Sequence, residues 1–165
     1  MKKIFDTSSL VCILKEITYP GILDLCVRDG YELIIPQPVY EELRKNPESF
    51  AKFSALGTYT IVPVDPECCA KLKKRYSWMG DGEISVFCDG LSREQRGERY
   101  FCVLDDNRAK KKGRSLPLRT TGTVGLLKWQ KQKGAISQEE SEDIRRRFLN
   151  SGCYIKSEIL DELIR

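Results

Sequence analysis

Four segments of this sequence are each followed by acidic side chains whose spacing suggests a shared site. Acids follow residues 2–5, 31–35, the turn 80–82 and residues 101–104, and they are Asp6, Glu41 with Glu42, Glu83, and Asp105 with Asp106. If these segments are parallel strands and helix starts of one α/β sheet, the carboxylates converge, because ligand sites form beyond the carboxyl ends of such strands. A cluster of carboxylates repels itself unless a cation lies within it. The pattern therefore predicts a cation site at one edge of a sheet.

The composition indicates which cation that site would hold. The 165 residues include no histidine, so the acidic site would offer only oxygen ligands. Oxygen ligands favour hard, octahedral ions such as Mg²⁺ or Mn²⁺ over zinc or copper. A divalent ion of this kind indicates metal-dependent phosphoryl chemistry.

Basic side chains crowd behind the last acidic pair, although the net charge is only +4. The crowded residues are Arg108, Lys110, Lys111, Lys112, Arg114 and Arg119. Such a run is either a solvated face or a rim that binds phosphates. Acids that bind metal beside bases that bind phosphate are what a nuclease requires.

The cysteines and the amino-terminal segment indicate where in the cell the protein is expected to be. The seven cysteines are odd in number and contain no C-x-x-C pair, so we expect small unpaired core thiols in a reducing cytoplasm. The first apolar stretch is too short for a signal peptide or a membrane span. The protein is expected to be cytoplasmic, with no membrane contact.

Strand and helix patterns alternate along the chain, which predicts an α/β fold with a mainly parallel sheet. The predicted strands are residues 2–5, 31–35, 59–64, 100–104 and 116–120. Thr7 or Ser8 is expected to cap the first helix. We expect one domain over residues 1–165, in which residues 137–165 form a carboxyl-terminal helical extension.

Several short motifs resemble those of the PIN-domain nucleases, and in particular their prokaryotic VapC-like group. The amino-terminal motifs are IFDTSSL at 4–10, IIP at 34–36 followed by VYEEL at 39–43, GEIS at 82–85, and VLDDNRAK at 103–110. The resemblance continues through GTVGLL at 122–127, GAI at 134–136, Gly152, and Ser157 with Glu158. It spans nearly the whole chain.

This resemblance implies a three-layer fold, a parallel sheet between helical layers, with an acidic site for Mg²⁺ or Mn²⁺. The implied catalytic and metal-binding residues are Asp6, Glu42, Glu83 and Asp106, and Asp105 is a further candidate ligand. Neighbouring residues at a strand end point to opposite faces, so one of Asp105 and Asp106 should face the site. Glu41 and Glu42 lie about 100° apart on a helix, so again one should face it, and we choose Glu42.

The candidate substrate-binding residues surround these acids: Ser8, Arg108, Lys110, Lys111, Lys112 and Thr123. Many family members have a further acid shortly after the fourth strand, where this chain has three lysines. Thr121 or Thr123 could instead offer a hydroxyl to a metal-bound water, although a helix-capping role is the better prediction for either. The number of metal ions, one or two, stays open.

The implied activity is hydrolysis of single-stranded RNA by a metal-dependent endoribonuclease. Without histidine the chain lacks the usual base for activating a ribose 2′-hydroxyl, so water attack should leave a 5′-phosphate. VapC-like proteins are commonly toxins held by a small antitoxin protein, and the helical tail could form a homodimer surface or replace that partner.

Four alternative roles could explain the same acids. An aspartyl phosphatase normally needs an acid where this chain has Ser8, and a receiver domain would have its acidic pair after the first strand. The acids could also be ordinary helix caps and surface charges. A PIN-like module that binds nucleic acid or protein without cleaving remains the main alternative.

Overall fold

Five parallel strands form the central sheet of the computed structural model, which describes residues 1–165. The strands are β1 (Lys2–Phe5), β2 (Glu32–Pro36), β3 (Thr60–Val62), β4 (Tyr100–Val103) and β5 (Thr120–Thr121), and their order across the sheet is β3-β2-β1-β4-β5. The chain leaves β1 towards β2 and β3, then returns to the other side of β1 with β4 and β5. The strand order therefore reverses between β1 and β4, which is where sheets of this kind bind ligands.

Helices flank the sheet and complete a three-layer α/β fold, as predicted. They are α1 (Thr7–Val11), α2 (Gly21–Arg28), α3 (Gln37–Arg44), α4 (Pro47–Ser54), α5 (Pro66–Arg75), α6 (Asp81–Gln95), α7 (Asn107–Arg114), α8 (Thr123–Gln132), α9 (Gln138–Leu149) and α10 (Ser157–Leu160). Helix α1 continues into a π-helical segment (Cys12–Glu16), and α10 continues into a 3₁₀ turn (Asp161–Leu163). Helix α6 packs on α3, α5 and the sheet, while α8 packs on α2 and α9. No helix has both the length and the apolar character needed to cross a membrane.

The central strands are apolar on both faces because helices cover both faces of the sheet. Ile4, Phe5, Cys102 and Val103 are fully buried in the paired strands β1 and β4. They belong to one cluster of 37 buried apolar residues that reaches as far as Leu163. The core therefore fixes the ends of β1 and β4, and with them the residues that immediately follow.

Two local predictions are wrong. Helix α1 is capped by Asp6, which accepts a hydrogen bond from the Ser9 amide, and not by Thr7 or Ser8. The fifth strand does not begin at Leu116 but is limited to Thr120–Thr121. Pro117 has no amide hydrogen to donate to the sheet, and the Leu118 amide donates to the Leu116 carbonyl in a tight turn.

The expectation of seven unpaired thiols is also wrong. Cys12 and Cys153 form a disulfide across a separation of 141 residues, with their Cα atoms 6.1 Å apart. The remaining five cysteines are free, and Cys26, Cys88 and Cys102 among them are buried. The disulfide attaches the segment after α9 to the segment that follows α1.

Candidate functional site

Asp6, which directly follows β1, is the most buried of the candidate acids. It is 1% exposed, and its carboxylate accepts hydrogen bonds from the Ser9 amide at 2.8 Å and the Ser8 hydroxyl at 2.7 Å. Burial raises the pKa of Asp6 to about 7, and the negative charge of Asp105 adds to the rise, while the serine hydrogen bonds oppose it. Asp6 is therefore held by two hydrogen bonds in surroundings that disfavour its charged form.

Asp105 follows β4 and lies next to Asp6 at the point where the strand order reverses. Its carboxylate accepts hydrogen bonds from the Thr123 amide at 2.8 Å and the Thr123 hydroxyl at 2.5 Å. Neither Thr121 nor Thr123 caps α8, because Gly122 occupies the cap position, so that prediction is wrong. Thr123 instead holds Asp105 in place.

Lys110 points back from α7 towards this end of the acidic cluster. A methyl group at Gly122 would lie 2.7 Å from the Lys110 Nζ atom and 2.9 Å from the Asp105 Oδ1 atom. The absence of a side chain at Gly122 therefore lets a lysine ammonium and a carboxylate share one small space. Lys110 does not belong to a solvated face.

Glu42 and Glu41 occupy different environments. Glu42 accepts hydrogen bonds from the Thr7 hydroxyl and, at 3.1 Å, from the Gly82 amide, so it joins α3 to the starts of α1 and α6. Glu41 is exposed and accepts a hydrogen bond from Gln37 within its own helix. A methyl group at Gly82 would lie 2.5 Å from Glu42 Oε2, which explains why glycine occurs there.

Glu83, in the first turn of α6, lies near both Glu42 and Asp106. Its carboxylate accepts a hydrogen bond from the Gly80 amide at 3.0 Å. Partial burial raises the pKa of Glu83, and the charges of Asp106 and Glu42 raise it further, against the opposing effects of the Gly80 amide and Lys73. Asp106 caps α7 by accepting from the Ala109 amide at 2.7 Å.

The structure thus brings all five predicted acids to one edge of the sheet. Strand alternation predicts that only one of Asp105 and Asp106 faces the site, but Asp105 lies near Asp6 and Asp106 lies near Glu83. No three acidic or thiol side chains are arranged to hold a single ion together. The donor set nevertheless fits a hard divalent cation, because the donors are all oxygens and because burial, with a smaller contribution from neighbouring acids, raises the pKa values of Asp6 and Glu83.

A cavity of about 460 Å³ opens beside the acids. Ser8, Asp105, Asp106 and Arg108 line one side, and residues 152–155 line the other. The disulfide at Cys153 and a hydrogen bond from the Gly152 amide to Glu16 hold this second wall. In the sequence, the only signals for that wall are Cys153 and the glycine at position 152.

The predicted basic rim separates into two groups. Lys110 faces the acids, whereas Arg108 lies over the ring of Trp78 and Lys112 over the ring of Tyr76. Sequence reasoning missed both aromatic residues, because they are more than 25 positions away from their basic neighbours along the chain and follow a separate helix.

Comparisons with known proteins agree with this fold. The PIN-domain family model DUF3368 matches residues 2–165. A chain in the crystal structure of VapBC2 from Rickettsia felis, bound to a DNA fragment from its promoter, aligns with a TM-score of 0.54 at 15% identity, covering 74% of this chain and 98% of that one. The PIN domain endonuclease Utp24 aligns with a TM-score of 0.49 at 16% identity, covering 74% and 84%. No curated protein sequence matches.

The family match covers the acids at the ends of β1 and β4, the glutamates of α3 and α6, and the helical tail. PIN domains are generally nucleases. The fold and the family model together confirm the resemblance seen in the sequence, and the chain belongs to the PIN-domain family.

Proposed function

We propose that this protein is a Mg²⁺- or Mn²⁺-dependent endoribonuclease that hydrolyses single-stranded RNA. The observation that carries the proposal is the gathering of five carboxylates where the strand order reverses, with the pKa values of Asp6 and Glu83 raised by burial and by neighbouring acids. Such crowding destabilises the cluster without a cation, and a divalent ion relieves it. The family's general nuclease activity supports the same conclusion.

Each acid has its own supporting contacts. Asp6, Glu42, Glu83 and Asp106 would hold the ion, with Asp105 as a further ligand; when bound, the ion lowers the pKa of a water molecule and offsets charge on the phosphate. Ser8 and Ser9 orient Asp6. Glu83 would exchange its hydrogen bond with the Gly80 amide for the ion, which requires only a side-chain rotation.

Lys110 supplies a fixed positive charge where many family members have an acid. Its ammonium group lies beside Asp105, so it offsets part of the negative charge at that end of the cluster. This arrangement favours a single ion, with Lys110 in contact with a substrate phosphate. Ser8, Thr123 and the basic residues of α7 complete the proposed substrate site.

The test is cleavage of end-labelled single-stranded RNA with Mg²⁺, with Mn²⁺ and with EDTA. We expect cleavage only with the ions, and products that carry a 5′-phosphate and a 3′-hydroxyl. Glu42→Gln should abolish cleavage, while Glu41→Gln, on the exposed side of the same helix, serves as the matched control and should not. Cleavage that survives EDTA, or 2′,3′-cyclic phosphate ends, would contradict the proposal.

The biological setting that we propose is that of a VapC-like toxin, as a single domain with residues 137–165 as its extension. The structural similarity to a chain of VapBC2 supports a small antitoxin protein as partner. The alternative is a stand-alone nuclease whose tail forms a homodimer. Co-purification with the product of a short neighbouring reading frame would support the toxin pair, and a dimer in light scattering of the isolated protein would support the alternative.

One observation favours a second function, a PIN-like module that binds nucleic acid or protein without cleaving it. Each candidate acid already accepts a hydrogen bond from a neighbouring group, and no three converge on one ion. A silent module would bind RNA equally with Mg²⁺ and with EDTA and would release no products. The cleavage assay therefore separates the two functions.

A further inference from the structure

A second cavity, of about 640 Å³, lies beside α7 and combines cations with aromatic rings. We call it the basic-aromatic pocket and define it by six of its lining residues: Arg75, Tyr76, Trp78, Arg108, Lys111 and Lys112. No acidic side chain lines it. It is built where the turn between α5 and α6 meets α7.

The contacts within the pocket are cation–π contacts. The Arg108 guanidinium carbon lies 4.3 Å from the centre of the Trp78 ring, and the Lys112 Nζ atom lies 4.8 Å from the centre of the Tyr76 ring. Tyr76 is buried, so it forms the floor, whereas Trp78 is 41% exposed and offers a free aromatic surface. The Arg108 guanidinium thus lies over the Trp78 ring, and Trp78 remains partly exposed to solvent.

The positive charge of the pocket is not neutralised by the protein. Arg75, Arg108, Lys111 and Lys112 take part in none of the ion pairs within 4.0 Å that occur elsewhere in the molecule. Basic residues elsewhere, such as Arg93 and Arg145, are paired with carboxylates. Four unpaired cations around exposed aromatic surface complement a ligand that carries both phosphates and flat rings.

The pocket adjoins the acids through one residue. Arg108 lines the basic-aromatic pocket and also the cavity that contains Asp105 and Asp106. It lies in the first turn of α7, which Asp106 caps. A strand that places one phosphate at the acids therefore has a direct path along Arg108 into the pocket.

We infer that the basic-aromatic pocket is a stacking subsite for an unpaired nucleobase of the substrate strand, with Trp78 as the platform and the four cations as phosphate contacts. The inference rests on the proposed function, since it takes the substrate to be a nucleic-acid strand. Bases in a duplex are stacked on their neighbours and cannot stack on Trp78 as well. The pocket thus selects single strands without reading their sequence, because every base has a flat face.

The experiment measures binding in EDTA, so that it does not depend on cleavage. The chain has two tryptophans, and Trp129→Phe leaves Trp78 as the only strong fluorophore. A short, unstructured RNA should quench Trp78 emission in this variant, and single-stranded DNA should do so similarly. The same RNA as a duplex, or a strand of matched length with abasic sites, should not quench it and should bind more weakly.

Variants of Trp78 then measure the contribution of stacking. Trp78→Ala should weaken binding by about 5- to 150-fold, as for loss of one stacked base, with the slope of log affinity against log salt unchanged. Trp78→Phe should retain most of the affinity. Lys112→Ala should flatten the slope by about 0.7, the effect of one phosphate contact on a single strand. Trp129→Ala is the control for loss of an exposed indole, and its binding should equal that of the parent.

Two outcomes would overturn the inference: abasic strands that bind as tightly as intact ones, or a Trp78→Ala variant of unchanged affinity and unchanged melting temperature. Its failure is distinguishable from failure of the proposed function. If the parent cleaves RNA with Mg²⁺ while Trp78→Ala binds normally, the nuclease assignment stands and only the subsite is wrong. If the parent binds RNA and its Trp78 emission is quenched, but it never cleaves RNA, then the subsite stands and the nuclease assignment is wrong.

Discussion

The two ends of the paired strands β1 and β4 contain the same types of charged residue in opposite arrangements. Beyond the carboxyl ends, Asp6 and Asp105 lie together with other acids. Near the amino ends, Glu98 accepts from Lys2 at 2.8 Å and from Arg93 at 2.7 Å, and Arg93 also pairs with Asp89. The amino end thus pairs its acids with cations, whereas the carboxyl end gathers five acids, with Lys110 and Lys73 near them.

The pKa values express this difference. Hydrogen bonds from Lys2 and Arg96, with the contribution of Arg93, lower the pKa of Glu98 to about 2, whereas burial raises that of Asp6 to about 7. An acid with a lowered pKa contributes to folding stability at neutral pH, and one with a raised pKa detracts from it. The paired end stabilises the fold, and the unpaired end retains the capacity to bind a cation.

The largest effect is expected from a change at the carboxyl ends of β1 and β4, where the acids are unpaired. Asp6→Asn keeps the shape of the side chain but removes one charge, and we expect cleavage to fall by about 100- to 1,000-fold, through loss of several kcal/mol of charge stabilisation. In EDTA this variant should melt at the same or a higher temperature than the parent, and Mg²⁺ should raise its melting temperature less. A much lower melting temperature in EDTA would show that Asp6 is a structural residue.

The next largest effect is expected from a change at the amino ends of β1 and β4, where acids and cations are paired. Arg93→Met leaves Asp89 buried without its partner, which should lower the free energy of unfolding by about 3–5 kcal/mol while the cleavage rate per folded molecule stays unchanged. Urea unfolding and an activity assay on the folded fraction measure the two quantities. Arg96→Ala, which removes an exposed partner of Glu98, is the control and should cost less than about 1 kcal/mol. A loss of activity at constant folded fraction would show that the two ends are energetically coupled.

A third variant moves an acid without changing any charge. Gly82→Ala places a methyl group where the Glu42 carboxylate lies, so the side chain must shift. Because the clash is with the end of a flexible side chain, we expect the melting temperature to change little. Cleavage should fall by up to about 100-fold, the cost of a misplaced catalytic group. Normal cleavage would show that the position of Glu42 is not critical.

In EDTA, the acids at the two ends of the strands should affect the stability of the fold in different ranges of pH. The contribution of Asp6 is present below its unfolded pKa of about 3.9 and is lost as the pH rises to about 7. The contribution of Glu98 is present above its unfolded pKa of about 4.3 and is lost as the pH falls towards 2. Thermal melts from pH 2 to about 8 should therefore show a maximum near pH 4–5. In Asp6→Asn the decline above that maximum should be smaller.

The smallest effect is expected from replacing Lys110, which lies beside the unpaired acids. If Lys110 contacts one RNA phosphate, Lys110→Ala should flatten the slope of log affinity against log salt by about 0.7. Lys45→Ala, at the exposed end of α3, is the control and should leave the slope unchanged. Binding is measured in EDTA by fluorescence anisotropy over a range of salt concentrations. Equal slopes for both variants would mean that Lys110 offsets the charge of Asp105 and does not contact an RNA phosphate.

Much of the fold and of the candidate site could be predicted, because each depends on local patterns. Apolar runs followed by single acids indicate parallel strands, and parallel strands bring their carboxyl ends to one edge. The choice of Glu42 over Glu41 rests on the family's pattern, and the contact with Gly82 gives it a physical basis. That contact joins residues 40 positions apart, which no helical periodicity reveals.

The parts that sequence reasoning missed mostly depend on distant pairs. Trp78 meets Arg108 only because the turn before α6 packs near α7. Cys12 and Cys153 resemble core thiols in the sequence because their spacing matches no known framework. The shortened fifth strand is different, since Pro117 within the predicted strand is a local signal that limits it.

The disulfide has a mechanical consequence. If the two termini were pulled apart, the bond between Cys12 and Cys153 would carry the load, and the chain between them could not lengthen. Only residues 1–11 and 154–165 could extend. The first of these segments contains β1, the middle strand of the sheet, and Asp6. Of the five acids, force on the ends could therefore displace only Asp6, and Glu42, Glu83, Asp105 and Asp106 would stay within the closed ring.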